Sequence, residues 1–192
     1  MKSDIVLAGV GGQGILTIAA IVARVAMHEG LNVKQSEVHG MSQRGGSVVA
    51  HLRLADTPIF SDLIAPASAD VILAMEPMEA LRHAAYLAPD GAIITNATPI
   101  VNIGDYPELE QLHQAIEAYP RHLIVTGEAI AKDCGSPRAV NMVLLGALTR
   151  CLPLADTLFA DAIREAFAKK GAEIVEANLK AYRAGLQAAA AI

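Results

Sequence analysis

Ile5-Val6-Leu7-Ala8-Gly9-Val10-Gly11-Gly12-Gln13-Gly14-Ile15 reads as a strand, a tight turn and the first residue of a helix. Ile5 to Ala8 is a short apolar run ending in glycines. From Ile15 to Glu29 apolar residues recur at helical spacing, and Gly30 stands as a stop. Gly9, Gly11 and Gly14 satisfy GxGxxG after a strand and before a helix. In that place small residues permit a tight turn and let a phosphate approach the N–H groups of the helix end.

The same alternation continues along the chain. Strand-like runs cover Asn32 to Val38, Ser47 to Leu54, Asp70 to Met75, Gly91 to Asn96 and His122 to Gly127. Pro77 suits the first turn of a helix. The run from Ser47 partly alternates, which places His51 and Arg53 on one face. The last third changes character: Pro137 to Arg150, Asp156 to Lys169 and Ala172 to Ala190 read as helices separated by Pro153 and Gly171. Strands alternating with helices predict right-handed βαβ units. The expected fold is α/β, a three-layer, doubly wound, mostly parallel and Rossmann-like sheet with a C-terminal helical layer.

Composition agrees with that class. Of 192 residues 53% are apolar and only 4% aromatic, so Ala, Val, Ile and Leu must build the core, as in helices packed on a largely parallel sheet. No stretch rich in Pro, Gly and Ser divides the chain, and a single domain over residues 1–192 is expected. A net charge of -5 without a basic block argues against nucleic acid as a partner. Arg24, His28 and Glu29 interrupt the longest helical candidate well short of the ~20 apolar residues of a membrane span, so no membrane association is expected. Met1-Lys2-Ser3-Asp4 leads straight into a strand, without an export signal, and predicts a cytoplasmic protein. Cys134 and Cys151 lie far apart without metal-ligand spacing; they read as small buried apolar residues, and no metal site is assigned.

The glycine loop is not a P-loop, because Ile15 stands where the phosphate-neutralising lysine belongs. A dinucleotide site wants an acid about 20 residues on, at the end of the second strand. Glu37 is near that place but runs directly into His39-Gly40, where capping a turn is the plainer role. Two readings of Gly9, Gly11, Gly12, Gln13 and Gly14 stand: contact with the phosphates of a ligand, or close packing of helix on sheet. A second loop, Ser42-Gln43-Arg44-Gly45-Gly46, is the other candidate binding element. Its arginine offers a forked, permanently charged donor set, and its glycines expose N–H groups that can surround an anion. The alternative is an arginine that pins the turn by pairing with a local acid. His39 could move a proton or meet a carboxylate, but suits a turn or interface better, and Met41 looks like an interface plug. His28, His83, His113 and His122 read as ordinary surface residues. With the Gly-x-Ser-x-Gly elbow missing, no catalytic residue is assigned.

Three stretches carry a family resemblance: Gly9-Val10-Gly11-Gly12-Gln13-Gly14, Glu37-Val38-His39-Gly40-Met41-Ser42-Gln43-Arg44-Gly45-Gly46, and Asn141-Met142-Val143-Leu144-Leu145-Gly146-Ala147. The chain resembles the gamma-type subunits of 2-oxoacid:ferredoxin oxidoreductases, and within them the small subunits of the indolepyruvate type. The resemblance implies oxidative decarboxylation of an aryl 2-oxoacid to the acyl-CoA, with electrons passed to ferredoxin. It also implies a large partner subunit that holds thiamine diphosphate and iron–sulfur clusters, with none of these cofactors bound by this chain alone. Gly104-Asp105 is followed by Tyr106 where a thiamine diphosphate motif would continue with glycine. The resemblance leaves open whether Arg44 and the glycine loops meet the phosphates of CoA or only the partner. The competing reading is a stand-alone NAD-dependent or nucleotide-sensing Rossmann protein.

Overall fold

In the computed structural model, which describes residues 1–39, 45–190 and 192, every residue of β1 (Lys2–Val10) after Lys2 is buried. A strand covered on both faces needs no polar alternation, which is why it appears in the sequence as an unbroken apolar run. Its side chains divide between two cores according to the two-residue period of a strand. Ile5 and Leu7 join the larger core, and Val6 and Ala8 join the smaller one on the opposite face.

The other strands are β2 (Asn32–His39), β3 (Ser47–Ala55), β4 (Ala69–Ala74), β5 (Leu87–Asn96) and β6 (His122–Val125), in the sheet order β2-β3-β1-β4-β5-β6. β1, β4, β5 and β6 pair in parallel. β3 departs from a simple βαβ alternation, because it runs antiparallel to both β1 and β2. The cause is length: the connection from His39 to Ser47 is too short for the dozen or so residues of a parallel crossover, so β2 and β3 form a hairpin.

α1 (Ile15–His28) covers the larger-core face together with α5 (Val140–Thr149), α6 (Asp156–Phe167) and α7 (Ala172–Ala188). α2 (Pro77–Arg82) and α3 (Leu109–Glu117) lie on the other face, through Ala80 and Ile116. The result is three layers with the expected C-terminal helical layer. α4 (Gly127–Asp133) is a short helix that directly follows the turn after β6, and neither it nor α3 carries a spacing pattern that predicts it. α5 is buried without a break from Met142 to Thr149, so it shows no polar face. It packs on α7 where two glycines meet backbone, Gly146 against Tyr182 and Gly185 against Val143.

Several side chains differ from their sequence reading. Cys134 and Cys151 are unpaired but only half-buried. His28 is exposed as expected, whereas His83, His113 and His122 are half-buried. His113 Nε2 lies 3.1 Å from the Ala97 carbonyl and His122 Nδ1 lies 2.7 Å from that of Tyr119. His51 and Arg53 do share a face, and both reach the segment 61–64.

Candidate functional site

The parallel strands end side by side. Ala8 is level with Ala74, Ala74 with Thr95, and the Met75 N–H donates to the Ala8 carbonyl at 2.9 Å. From this edge α1 turns to one face of the sheet and α2 to the other. A crevice at the carboxyl ends of strands where the chain diverges in this way is where doubly wound folds receive ligands.

The first glycine loop lies at that divergence. Gln13 staples it: its Oε1 accepts from the Val10 N–H at 2.7 Å, and its Nε2 donates to the Met75 carbonyl at 3.0 Å. The side chain thus ties the end of β1 to the end of β4. Gly9 lies beneath, where a Cβ would stand 2.8 Å from Ile15 Cδ1 and 2.9 Å from Met75 Cβ, so close packing explains this glycine. Gly12 and Gly14 need another reason, since their φ angles of 103° and 85° are left-handed and favour glycine. Gly14 is also the N-cap of α1, with no side-chain cap and no acid in the first turn, so the positive end of the helix carries no anion of its own. A Cβ on Gly14 would lie 2.5 Å from Asn141 Nδ2, which brings the third stretch of the resemblance against the first.

The two glycine loops meet. The Gly11 N–H donates to the Gly46 carbonyl at 2.8 Å, and Gly45 is left-handed at φ 83°. Ser42, Gln43 and Arg44 lie outside the described residues, as do Gly40 and Met41 and the side chain of His39. Among the described positions, the fold brings Gly9 to Gly14, Gly45, Gly46 and Asn141 to one end of the sheet.

Sequence reasoning missed a set of polar residues at this edge. Glu76 is buried; its Oε1 caps α2 by accepting from the Glu79 N–H at 2.7 Å, and its Oε2 takes the Tyr106 hydroxyl. The signal was present, since an acid, then Pro77, then Glu79 is a helix-start pattern. Glu79 is also buried, and its Oε2 accepts from Ser47 Oγ at 2.5 Å. Its Oε1 has no hydrogen-bond partner among the described residues; Arg82 Nη1 stands off at 3.5 Å, and His83 Nε2 lies 3.8 Å from Oε2. Burial pushes the Glu79 carboxyl above its ordinary range, while Ser47 and Arg82 pull it back. Burial also raises the Tyr106 phenol, and its bond to Glu76 adds to this, so the hydroxyl remains a donor. Asn96, at the end of β5, accepts from the Gly127 N–H at 3.1 Å and donates to Glu128 at 2.9 Å.

Ser47 donates to the Glu79 carboxylate, and His83 approaches the same carboxylate. Among the described residues no group of three or more His, Cys, Asp or Glu could hold a metal ion, and no helix is long and apolar enough to cross a membrane.

Residues 4–188 match the pyruvate ferredoxin/flavodoxin oxidoreductase family. The chain belongs to that family. It is 41% identical to indolepyruvate oxidoreductase subunit IorB of Archaeoglobus fulgidus, over 96% of this chain and 94% of that one. The IorB subunit of Pyrococcus horikoshii is 39% identical over 97% and 95%. Among solved structures, 2-oxoglutarate:ferredoxin oxidoreductase from Magnetococcus marinus, with 2-oxoglutarate, coenzyme A and succinyl-CoA bound, superposes with a TM-score of 0.79 at 23% identity. The match covers 100% of this chain but 31% of that one. The keto/oxoacid ferredoxin oxidoreductase gamma subunit from Geobacter sulfurreducens gives 0.68 at 24% identity, over 99% of both chains. At these identities the structural likeness supports the α/β fold. The IorB relatives do not favour the stand-alone NAD-dependent reading.

Beside the crevice, this oxidoreductase-family chain carries a pH-sensitive pair. His51 is 6% exposed, accepts the Ile64 N–H on Nδ1 at 3.0 Å and stands edge-on to the Tyr86 ring. Burial lowers the pKa of His51 and of His83; Asp62 opposes this and Arg53 adds to it at His51, while the His51 imidazole and Arg82 add to it at His83. Below about pH 6.5 the unfolded chain therefore binds more protons at these sites than the folded one, and stability falls as pH falls. Glu79 acts oppositely, because its raised pKa makes the folded chain hold the extra proton. The two effects separate by substitution: His51→Asn should lose part of the difference between urea midpoints at pH 7 and pH 5.5. Equal differences in both proteins would remove His51 from the effect.

Proposed function

We propose that this chain is the small subunit of a 2-oxoacid:ferredoxin oxidoreductase acting on indolepyruvate or another aryl 2-oxoacid. The reaction converts the 2-oxoacid and CoA to acyl-CoA, carbon dioxide and a proton, and an electron pair leaves for ferredoxin. The observation that carries this reading is identity of about two residues in five with IorB subunits over nearly the whole length of both chains. A large cytoplasmic partner supplies thiamine diphosphate and the iron–sulfur clusters, since the two cysteines of this chain fall short of the four thiolates that such clusters ordinarily take. This chain contributes a single-domain binding element that completes the site.

Its part is to hold CoA. The uncapped N-terminus of α1 and the left-handed glycines 12, 14 and 45 suit a diphosphate, and Arg44 suits its charge. In the assembled complex Arg44→Ala should raise the KM for CoA about tenfold or more, the worth of a charge-assisted hydrogen bond. Release of carbon dioxide from the 2-oxoacid in the absence of CoA should be unchanged. An unaltered CoA dependence would take Arg44 out of the role.

A further inference from the structure

The segment 97–108 leaves β5 and crosses the end of the sheet before α3 begins. Within 101–108 every residue is exposed except Tyr106, whose hydroxyl donates to buried Glu76 at the end of β4. Asn102 reaches farther, and its Nδ2 donates to the Gly45 carbonyl at 2.8 Å, just before β3. With the strand order β3-β1-β4-β5, a segment that starts on β5 and reaches the start of β3 passes over the ends of β4 and β1. Those ends frame the crevice.

We infer that residues 97–108 form a strap across the crevice and that Tyr106 and Asn102 are positioning residues for its anionic ligand. The inference rests on the reading of the crevice as a CoA site. Asn102 occupies the Gly45 carbonyl and Gly11 N–H occupies the next one, that of Gly46, so the left-handed turn is fastened from both sides of the crevice. Tyr106 supplies the anchor. Its partner Glu76 is itself fixed, because the other oxygen of that carboxylate caps α2. Raised by burial and by Glu76, the phenol stays protonated and keeps donating. Asn102 acts through the turn that it holds, and Tyr106 acts through the strap that it anchors to Glu76.

The test uses the assembled complex with Tyr106→Phe, Asn102→Ala and Asn102→Gln, measuring kcat and the KM for CoA and for the 2-oxoacid separately. Loss of one positioning hydrogen bond should raise the KM for CoA about fivefold in Tyr106→Phe and Asn102→Ala, with kcat and the 2-oxoacid KM held. Asn102→Gln keeps the amide donor and should recover part of the loss. A wild-type complex that oxidises aryl 2-oxoacids without saturating in CoA would overturn the CoA reading and the strap with it. A wild type that saturates normally, with variants whose CoA KM is unchanged or whose kcat and thermal midpoint fall together, would overturn the strap alone.

Discussion

Gly185→Ala should lower the stability of the chain by about 3 kcal/mol, visible as a fall of roughly 6–12 °C in Tm. The added Cβ would overlap the Val143 carbonyl oxygen and lie 2.8 Å from its carbon, and both are helix backbone that cannot rotate away. Alanine is the better helix former by about 1 kcal/mol, so propensity alone predicts the opposite sign. The overlap wins because α5 is buried all round and pressed onto α7 at this point, leaving no direction in which the helices can part without opening the core. Gly146→Ala meets the same obstacle from the other helix, against the Tyr182 carbonyl and 2.8 Å from the Leu186 nitrogen. A Gly185→Ala protein as stable as wild type would show that the helices are not in backbone contact.

Arg53→Ala should cost about 3 kcal/mol at neutral pH, from the opposite end of the sheet. Asp4 is 1% exposed and receives Arg53 in a fork, Nε on Oδ1 at 2.7 Å and Nη2 on Oδ2 at 3.1 Å. The remaining Nη1 donates to the Ser61 and Leu63 carbonyls, pinning the loop after β3. Burial alone would raise the Asp4 pKa, but its bonds to Arg53 and Lys2 more than offset that and leave it lowered. With Arg53 in place, Asp4 therefore adds stability above its ordinary carboxylate range and loses it as pH falls through the lowered value. Removal of Arg53 leaves the buried carboxylate with Lys2 alone, so it takes up a proton more readily than in the wild type. The deficit of Arg53→Ala should accordingly be smaller at pH 4.5 than at pH 7 in chemical denaturation. An equal deficit at both would mean that the lost packing and loop bonds, and not the stranded charge, carry the cost.

The first third of the fold was legible because its signals are local. An apolar run that ends in glycines, and a helix that starts at Ile15, follow from spacing alone, and β1 and α1 occupy those residues. The reversal of β3 follows from the short link between His39 and Ser47, which leaves no room for the helix that a strict alternation of strands and helices requires. α3 escaped notice because only Leu112 and Ile116 are buried along it, too few to mark a stripe in nine residues. At the site the glycines were visible and the acids were not. Glu76 and Glu79 look like surface residues until Tyr106, from 30 positions away, and Ser47, from 32, close over them. The strap has no sequence signature, since its meaning lies in where Asn102 ends up.

On this reading the chain completes a larger CoA-dependent oxidoreductase. The direct test is to reconstitute it anaerobically with a large thiamine diphosphate and iron–sulfur subunit from the same source, and to follow viologen reduction with indolepyruvate as each component is omitted. Reduction should need both chains and CoA, with neither chain active alone. Full activity of the large subunit without this chain, or tight NAD binding by this chain alone, would contradict it.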